Sequence, residues 1–243
     1  DTSHNFFRNN TLFISNTVLS ITGKIDKNQN LSKSKTNRYF ISLNGEIYNY
    51  RDLAKNYLDD KFSIKDISDT EVLVNLYDKT QHDRIPKILN GMFAYVIYDD
   101  YSENLIISND VQGEKNLYFF NNKDFFILSS TIDAILEFVG KQELNVNIIN
   151  NYFSTRHYMP ITSTMFKSIN ILKTGTLSTF CLKKKILNTK VYDEPLNWIN
   201  EKTYNEYRKY SEEEMIEFFD NSLNNQAKIM IPDKQFGCIV SGG

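Results

Sequence analysis

The stretch Phe40-Ile-Ser-Leu-Asn-Gly-Glu-Ile-Tyr-Asn-Tyr-Arg-Asp-Leu53 sets an amide side chain, an unhindered backbone N–H and a carboxylate in three consecutive residues, Asn44, Gly45 and Glu46. Donors so grouped are the kind that acyl-transfer chemistry aims at an oxyanion. A second acid, Asp69, sits in Ser68-Asp-Thr-Glu71, where a helix start favours a carboxylate. At the far end, an apolar run leads into Val240-Ser241-Gly242-Gly243, a turn whose backbone N–H groups could cradle a phosphate. Each feature has a plainer reading. Asn-Gly after an alternating strand is a hairpin signal, Asp69 is an ordinary helix-start acid, and a glycine turn commonly ends a strand.

Composition narrows the classes. The chain has 243 residues, 41% of them hydrophobic and 24% charged, which suits a soluble globular protein with a sizeable core. A net charge of −2 gives no footprint for nucleic acid or an anionic membrane, and no apolar run approaches the ~20 residues of a membrane span. The start, Asp1-Thr-Ser-His-Asn-Phe-Phe, lacks the basic flank and apolar core of a signal peptide. Cys181 and Cys238 have no ligand-type spacing, so a disulfide framework is not expected and a reducing cytoplasm fits best. His4, His82 and His157 are isolated and give no metal pattern. The chain does not open on Met and stops on Gly-Gly, so both ends read as truncations.

Positioning elements follow from periodicity. Thr11–Ser15, Met92–Tyr98, Leu105–Ile107 and Phe125–Leu128 are short apolar runs that predict strands covered on both faces. The 37–43 segment alternates, with Tyr39, Ile41 and Leu43 on one side, as a half-buried strand does. Asp99-Asp-Tyr-Ser-Glu103 makes 92–108 a hairpin with a five-residue loop. Ser68/Glu71 and Ser211/Glu214 have capping-box spacing. The first opens a helix with the stripe Val72, Leu73, Leu76 and Tyr77; the second, one with Met215, Phe219, Leu223 and Ala227 on a face. From Asp193 to Lys209 no period is evident, which predicts a connecting segment. After the Pro232 break, 236–240 reads as a buried strand before a glycine loop, the way a doubly wound domain begins.

Taken in order, these motifs resemble the class II, N-terminal-nucleophile glutamine amidotransferases, and asparagine synthetase in particular. Phe40–Leu53 is similar to the family's glutamine-site segment, and Ser-Asp-Thr-Glu-Val at 68–72 to its second acidic segment. Leu89-Asn-Gly-Met-Phe-Ala94 looks like L-x-G-M-F-A, and Asp110-Val-Gln-Gly113 with Leu117-Tyr118 is similar to R-D-x-x-G-x-x-P-L-Y. Phe166–Leu172 with Gly175 resembles the closing segment of the glutaminase domain, and Ser241-Gly242-Gly243 half of the S-G-G-x-D-S pyrophosphate loop.

The resemblance implies roles. Asn44 and Gly45 would be the oxyanion donors, each donor typically worth ~3 kcal/mol at the transition state. Glu46 and Asp69 would hold the substrate's α-ammonium, and Leu19, Ser20 and Ile21 would contribute weakly to glutamine binding. The nucleophile would be an N-terminal Cys, absent from this chain and expected some thirty residues upstream of Asp1, with its own α-amine as base. Val240, Ser241, Gly242 and Gly243 would bind ATP, with Mg²⁺ held mainly by further sequence; no metal ligands are expected here. Glutamine, aspartate and ATP would be the substrates, a homodimer is compatible with the family, and neither nucleic acid nor membrane is implied.

Departures from the family pattern keep alternatives open. The segment R-L-S-I, whose Arg clamps the glutamine carboxylate, reads Val18-Leu-Ser-Ile21; losing such a pair costs about 1.5–3 kcal/mol. Asn109 stands in place of the turn's Arg, Asn116 in place of its Pro, and Thr131 in place of the acid of an S-E segment. Either Arg8 or Lys24 takes over the clamp, or glutaminase activity has decayed. A divergent ligase acting on another carboxylate and a catalytically silent scaffold are the competing readings.

The expected fold is α+β, a four-layer αββα sandwich of two antiparallel sheets lacking its first strand, the N-terminal-nucleophile hydrolase fold, over residues 1–190. Residues 191–243 would be the linker and the beginning of an α/β ATP-pyrophosphatase-type synthetase domain.

Overall fold

A computed structural model of the chain describes residues 2–8, 11–18, 31–58, 67–155, 160–231 and 236–237. The chain opens with an antiparallel hairpin, β1 (Thr2–Arg8) and β2 (Leu12–Val18). Next come β3 (Ser32–Lys33), β4 (Tyr39–Ile47), α1 (Tyr50–Tyr57), α2 (Asp69–Lys79), α3 (Ile85–Ile88), β5 (Gly91–Asp99) and β6 (Asn104–Asn109). Then follow β7 (Tyr118–Asn121), β8 (Phe126–Ser129), α4 (Ile132–Val139), α5 (Val146–Thr155), β9 (Ile169–Ile171), β10 (Thr176–Cys181) and β11 (Ile186–Val191). A 3-10 turn at Pro195–Trp198, α6 (Glu201–Tyr207) and α7 (Glu212–Met230) complete the described chain. Besides the opening hairpin, the described strands form a six-stranded sheet, β11-β10-β6-β5-β4-β3, and a three-stranded sheet, β8-β7-β9, both antiparallel throughout.

Strand alternation sorts the core into layers. Tyr39, Ile41 and Leu43 of β4 and Phe93, Tyr95 and Ile97 of β5 pack against Leu53 and Ala54 of α1 and Val72, Leu73, Leu76 and Tyr77 of α2. The opposite face sends Ala94, Tyr98, Leu105, Ile107 and Phe180 against Phe126 and Leu128 of the second sheet, with Leu12 and Ile14 of β2 in the same cluster. Beyond it, Phe120, Ile127 and Ile169 meet Ile132, Ile135 and Leu136 of α4. The order is helix, sheet, sheet, helix, the αββα sandwich that the sequence implied. Each fully buried Leu, Ile or Val contributes about 1.5–3 kcal/mol, so α2 alone adds several such increments through Val72, Leu73, Val74 and Leu76.

Both capping boxes form. Ser68 Oγ accepts from Glu71 N–H while Glu71 accepts from Ser68 N–H, and Ser211 and Glu214 do the same. The expected hairpin is β5–β6, paired Asp99↔Asn104 at its mouth, with Asp99 in the strand rather than the loop. Its carboxylate is taken by both Arg38 Nε and Nη2 at 2.8 Å, and by Ser102 and Tyr101 N–H.

Strand expectations are corrected in places, and the connecting segment has local structure of its own. The 11–15 segment is not covered on both faces: β2 alternates, and Phe13 is 57% exposed. Phe125 lies outside β8 and is exposed, leaving a half-buried strand from Phe126. The aperiodic 193–209 segment is helical in two pieces, because Pro195 starts the 3-10 turn and the Asn200 side chain caps α6 by accepting from Thr203 N–H. Of the predicted strand at 236–240, Phe236 is exposed and in no strand, while 238–240 lie outside the described residues. On α7, Met215, Phe219 and Leu223 are all exposed.

Candidate active site

The Asn-Gly-Glu segment does not end the strand that leads into it. Strand β4 runs through it, in register with β5 at Asn44↔Ala94, Gly45↔Phe93, Glu46↔Met92 and Ile47↔Gly91, and the chain turns only at 48–49 before α1. A hairpin turn at Asn44-Gly45 is thereby excluded. What demands glycine is close approach: Gly45 has φ +130°, and a Cβ there would lie 2.0 Å from the Met92 carbonyl oxygen. Asn49 braces the turn, donating to Ile88 O at 2.9 Å and accepting from Asn90 N–H at 2.9 Å.

Strand parity places the donors. Tyr39 O accepts from Ser34 N–H, and Ile47 N–H donates outward to Asp69 Oδ2 at 3.1 Å, so odd-numbered backbone groups of β4 face the edge away from β5. Gly45 N–H belongs to that edge, where β3 pairs only with Phe40 and Ile41. The Asn44 side chain lies on the other parity, on the face toward the second sheet, and is exposed. Neither group is packed into the interior.

The two predicted acids are brought together. Asp69, the first residue of α2, is 6% exposed and accepts from Ile47 N–H, Thr70 N–H at 2.7 Å and Thr70 Oγ1 at 3.3 Å. Burial raises its pKa, and those hydrogen bonds only partly oppose the rise. Glu46 is half-buried; burial and then repulsion from Asp69 raise its pKa, while Lys115 pulls it down. A pair of partly desolvated carboxylates is a site that gains from an incoming cation.

Lys115 was not singled out from sequence, although the Asp110-Val-Gln-Gly113 turn that delivers it was. Asp110, 5% exposed, accepts from Phe93 N–H, Glu114 N–H and Lys115 N–H, so the 110–115 turn folds around one carboxylate. Tyr48 also joins the site, its hydroxyl pKa raised by burial and then by Glu46 and Glu114. A separate cleft of about 520 Å³ opens between α3, this turn and Trp198, and none of Asn44, Gly45, Glu46 or Asp69 lines it.

Leu19, Ser20 and Ile21, the side chains of Arg8 and Val18, Lys24, and Val240, Ser241, Gly242 and Gly243 lie outside the described residues, as do His157 and Cys238. Cys181 is a free, half-buried residue at the end of β10. His82 packs against Tyr39 and Tyr77, with Nε2 3.2 Å from Tyr39 Oη, a structural placement. Among the described residues no cluster of His, Cys, Asp and Glu could hold a metal ion, and no helix is long and apolar enough to cross a membrane.

Comparison with known proteins bears on the family of the chain. A Methanocaldococcus jannaschii protein with a provisional name of asparagine synthetase (glutamine-hydrolyzing) 2 is 29% identical over 208 residues, 84% of this chain and 38% of that one. Asparagine synthetase (glutamine-hydrolyzing) 3 of Bacillus subtilis is 35% identical over 102 residues, 42% of this chain and 16% of its own. The chain thus spans well under half the length of these relatives. A solved B. subtilis glutamine phosphoribosylpyrophosphate amidotransferase has a TM-score of 0.46 at 17% identity, covering 67% of this chain and 31% of that chain. The family described as the glutamine amidotransferase domain matches residues 1–193. With four fifths of its length inside that match, this chain belongs to the glutamine amidotransferase domain family.

Proposed function

We propose that this chain is the glutamine-hydrolysing part of an asparagine-synthetase-type ligase. The observation that supports the reading is that Asp69 accepts from Ile47 N–H, two residues past Gly45 on the same edge of β4, and acts electrostatically on Glu46, the residue next to Gly45. The α-ammonium of glutamine would sit between Glu46 and Asp69, replacing solvent lost by both acids. A thiolate would attack the side-chain carbonyl, and the oxyanion would take hydrogen bonds from Asn44 Nδ2 and Gly45 N–H, a donor pair fixed before the charge appears. Collapse of the intermediate would release ammonia, and water would free glutamate.

The ligase half rests on the Ser241-Gly242-Gly243 match and on the names of the relatives. ATP with Mg²⁺ would activate aspartate as an aspartyl-adenylate, and ammonia would complete the amide. Val18, in place of the clamp arginine, favours a second reading, a domain of this family with weakened or silent glutaminase. Feeding full-length protein ATP and aspartate with either glutamine or ammonium separates them. Equal asparagine formation from both supports the first; formation from ammonium alone supports the second, and amidation of a carboxylate other than aspartate overturns the ligase assignment.

A further inference from the structure

Asn109 is fully buried at the end of β6, and its side-chain oxygen has no hydrogen-bond partner. Its Nδ2 donates to Leu172 O at 3.4 Å, and its main-chain carbonyl accepts from Tyr192 Oη at 2.9 Å. A buried acceptor without a partner forfeits its hydration, and such a group calls for an explanation. Register supplies one. Ala94 pairs with Asn109 on one side and with Asn44 on the other, so the three side chains form a row across β6, β5 and β4. Ala94 and Leu172 belong to the intersheet cluster, which fixes the face that the row shares. Only a methyl group stands between the two amides. Across one wide and one narrow pair the outer Cα atoms are about 10 Å apart. Two amides, each reaching two bonds past Cβ, leave a gap suited to one bridging water, which needs polar partners on both sides.

We propose that Asn109 is a positioning residue: its Oδ1, through a water lying over Ala94, orients the Asn44 amide so that Nδ2–H points at the reacting carbonyl. The inference rests on the reading of Asn44 as an oxyanion donor. It also gives a role to a position where the family resemblance leads one to expect arginine.

The test is a double-mutant cycle on glutamate release by full-length protein, with Asn109→Leu, Asn44→Ala and both together. Thermal melting checks each variant's fold. Asn109→Leu is expected to lower kcat about tenfold with the glutamine KM within about twofold, and to cost less than twofold in the Asn44→Ala background, since a residue acting through another is non-additive with it. An equal loss in both backgrounds makes Asn109 merely structural and overturns the proposal, as does an unchanged kcat. Should Asn109→Leu not fold, Asn109→Asp decides: it keeps the acceptor in place and should retain kcat within about threefold, and a larger loss overturns the proposal. No effect of Asn44→Ala, or no glutamate release by the unaltered protein, overturns the underlying reading and this proposal with it, whereas failure of the cycle alone leaves Asn44 in its role.

Discussion

The Asp69 carboxylate accepts the backbone N–H of Ile47 at 3.1 Å, tying the first turn of α2 to the last residue of β4. The bond puts a charged acid beside the edge that carries Gly45, and also satisfies a backbone donor left outside the β-ladder. Asp69→Asn keeps an acceptor oxygen for Ile47 while removing the charge. It should raise the glutamine KM about tenfold to hundredfold, the worth of a charge-assisted pair, with little change in kcat. Steady-state glutaminase kinetics check this, and an unchanged KM would remove Asp69 from substrate binding.

Glu46 and Asp69 both have raised pKa values, burial being the largest cause in each case. An acid whose folded pKa exceeds its unfolded value binds protons more tightly when folded, so stability falls as pH rises from the unfolded pKa through the folded one. At neutral pH these carboxylates are therefore a standing cost, consistent with a site kept for function. Glu46→Gln should raise Tm at pH 7, leave Tm unchanged well below pH 4, and weaken glutamine binding. Melting curves at the two pH values, with KM measured alongside, test the trade; a lower Tm at pH 7 contradicts it.

Gly45→Ala should be damaging far beyond the size of a methyl group. The residue holds φ +130° and the new Cβ would collide with the Met92 carbonyl, a backbone atom that cannot swing away. A loss of about 3 kcal/mol in unfolding free energy is expected from strain of this kind. Urea denaturation reads it directly. Retention of wild-type stability would mean that β4 does not approach β5 as described.

His82 provides a different pH signature. Burial lowers its pKa, with its contact to Tyr77 O only partly opposing. A base with a depressed folded pKa contributes stability that is complete above its unfolded value, near 6.5, and is lost as pH falls through the folded pKa. His82→Phe should flatten the stability profile as pH falls below about 6.5. An unchanged slope there would place the titration elsewhere.

Much of this site was legible because its signals are local. Asn44, Gly45, Glu46 and the capping box around Asp69 are contiguous patterns, and in the structure Asp69 is near enough to Glu46 to raise its pKa. The Asn-Gly pair misled about shape, since its turn preference is overridden by pairing with β5 across its whole length. Lys115 escaped, and Asn109 was noticed only as a departure at the turn's arginine position, because their meaning is nonlocal: one depends on the turn built around Asp110, the other on a register across three strands. Likewise α6 was missed because a single N-cap, Asn200, outweighs the absence of an apolar stripe.

The most direct test of the central claim is kcat for glutamate release by full-length protein carrying Asn44→Ala. Loss of one preorganised oxyanion donor predicts a fall of about 10²–10³ with KM nearly unchanged. A kcat within twofold of the unaltered protein would contradict the claim that this edge of β4 stabilises the charge on a hydrolysing carboxamide.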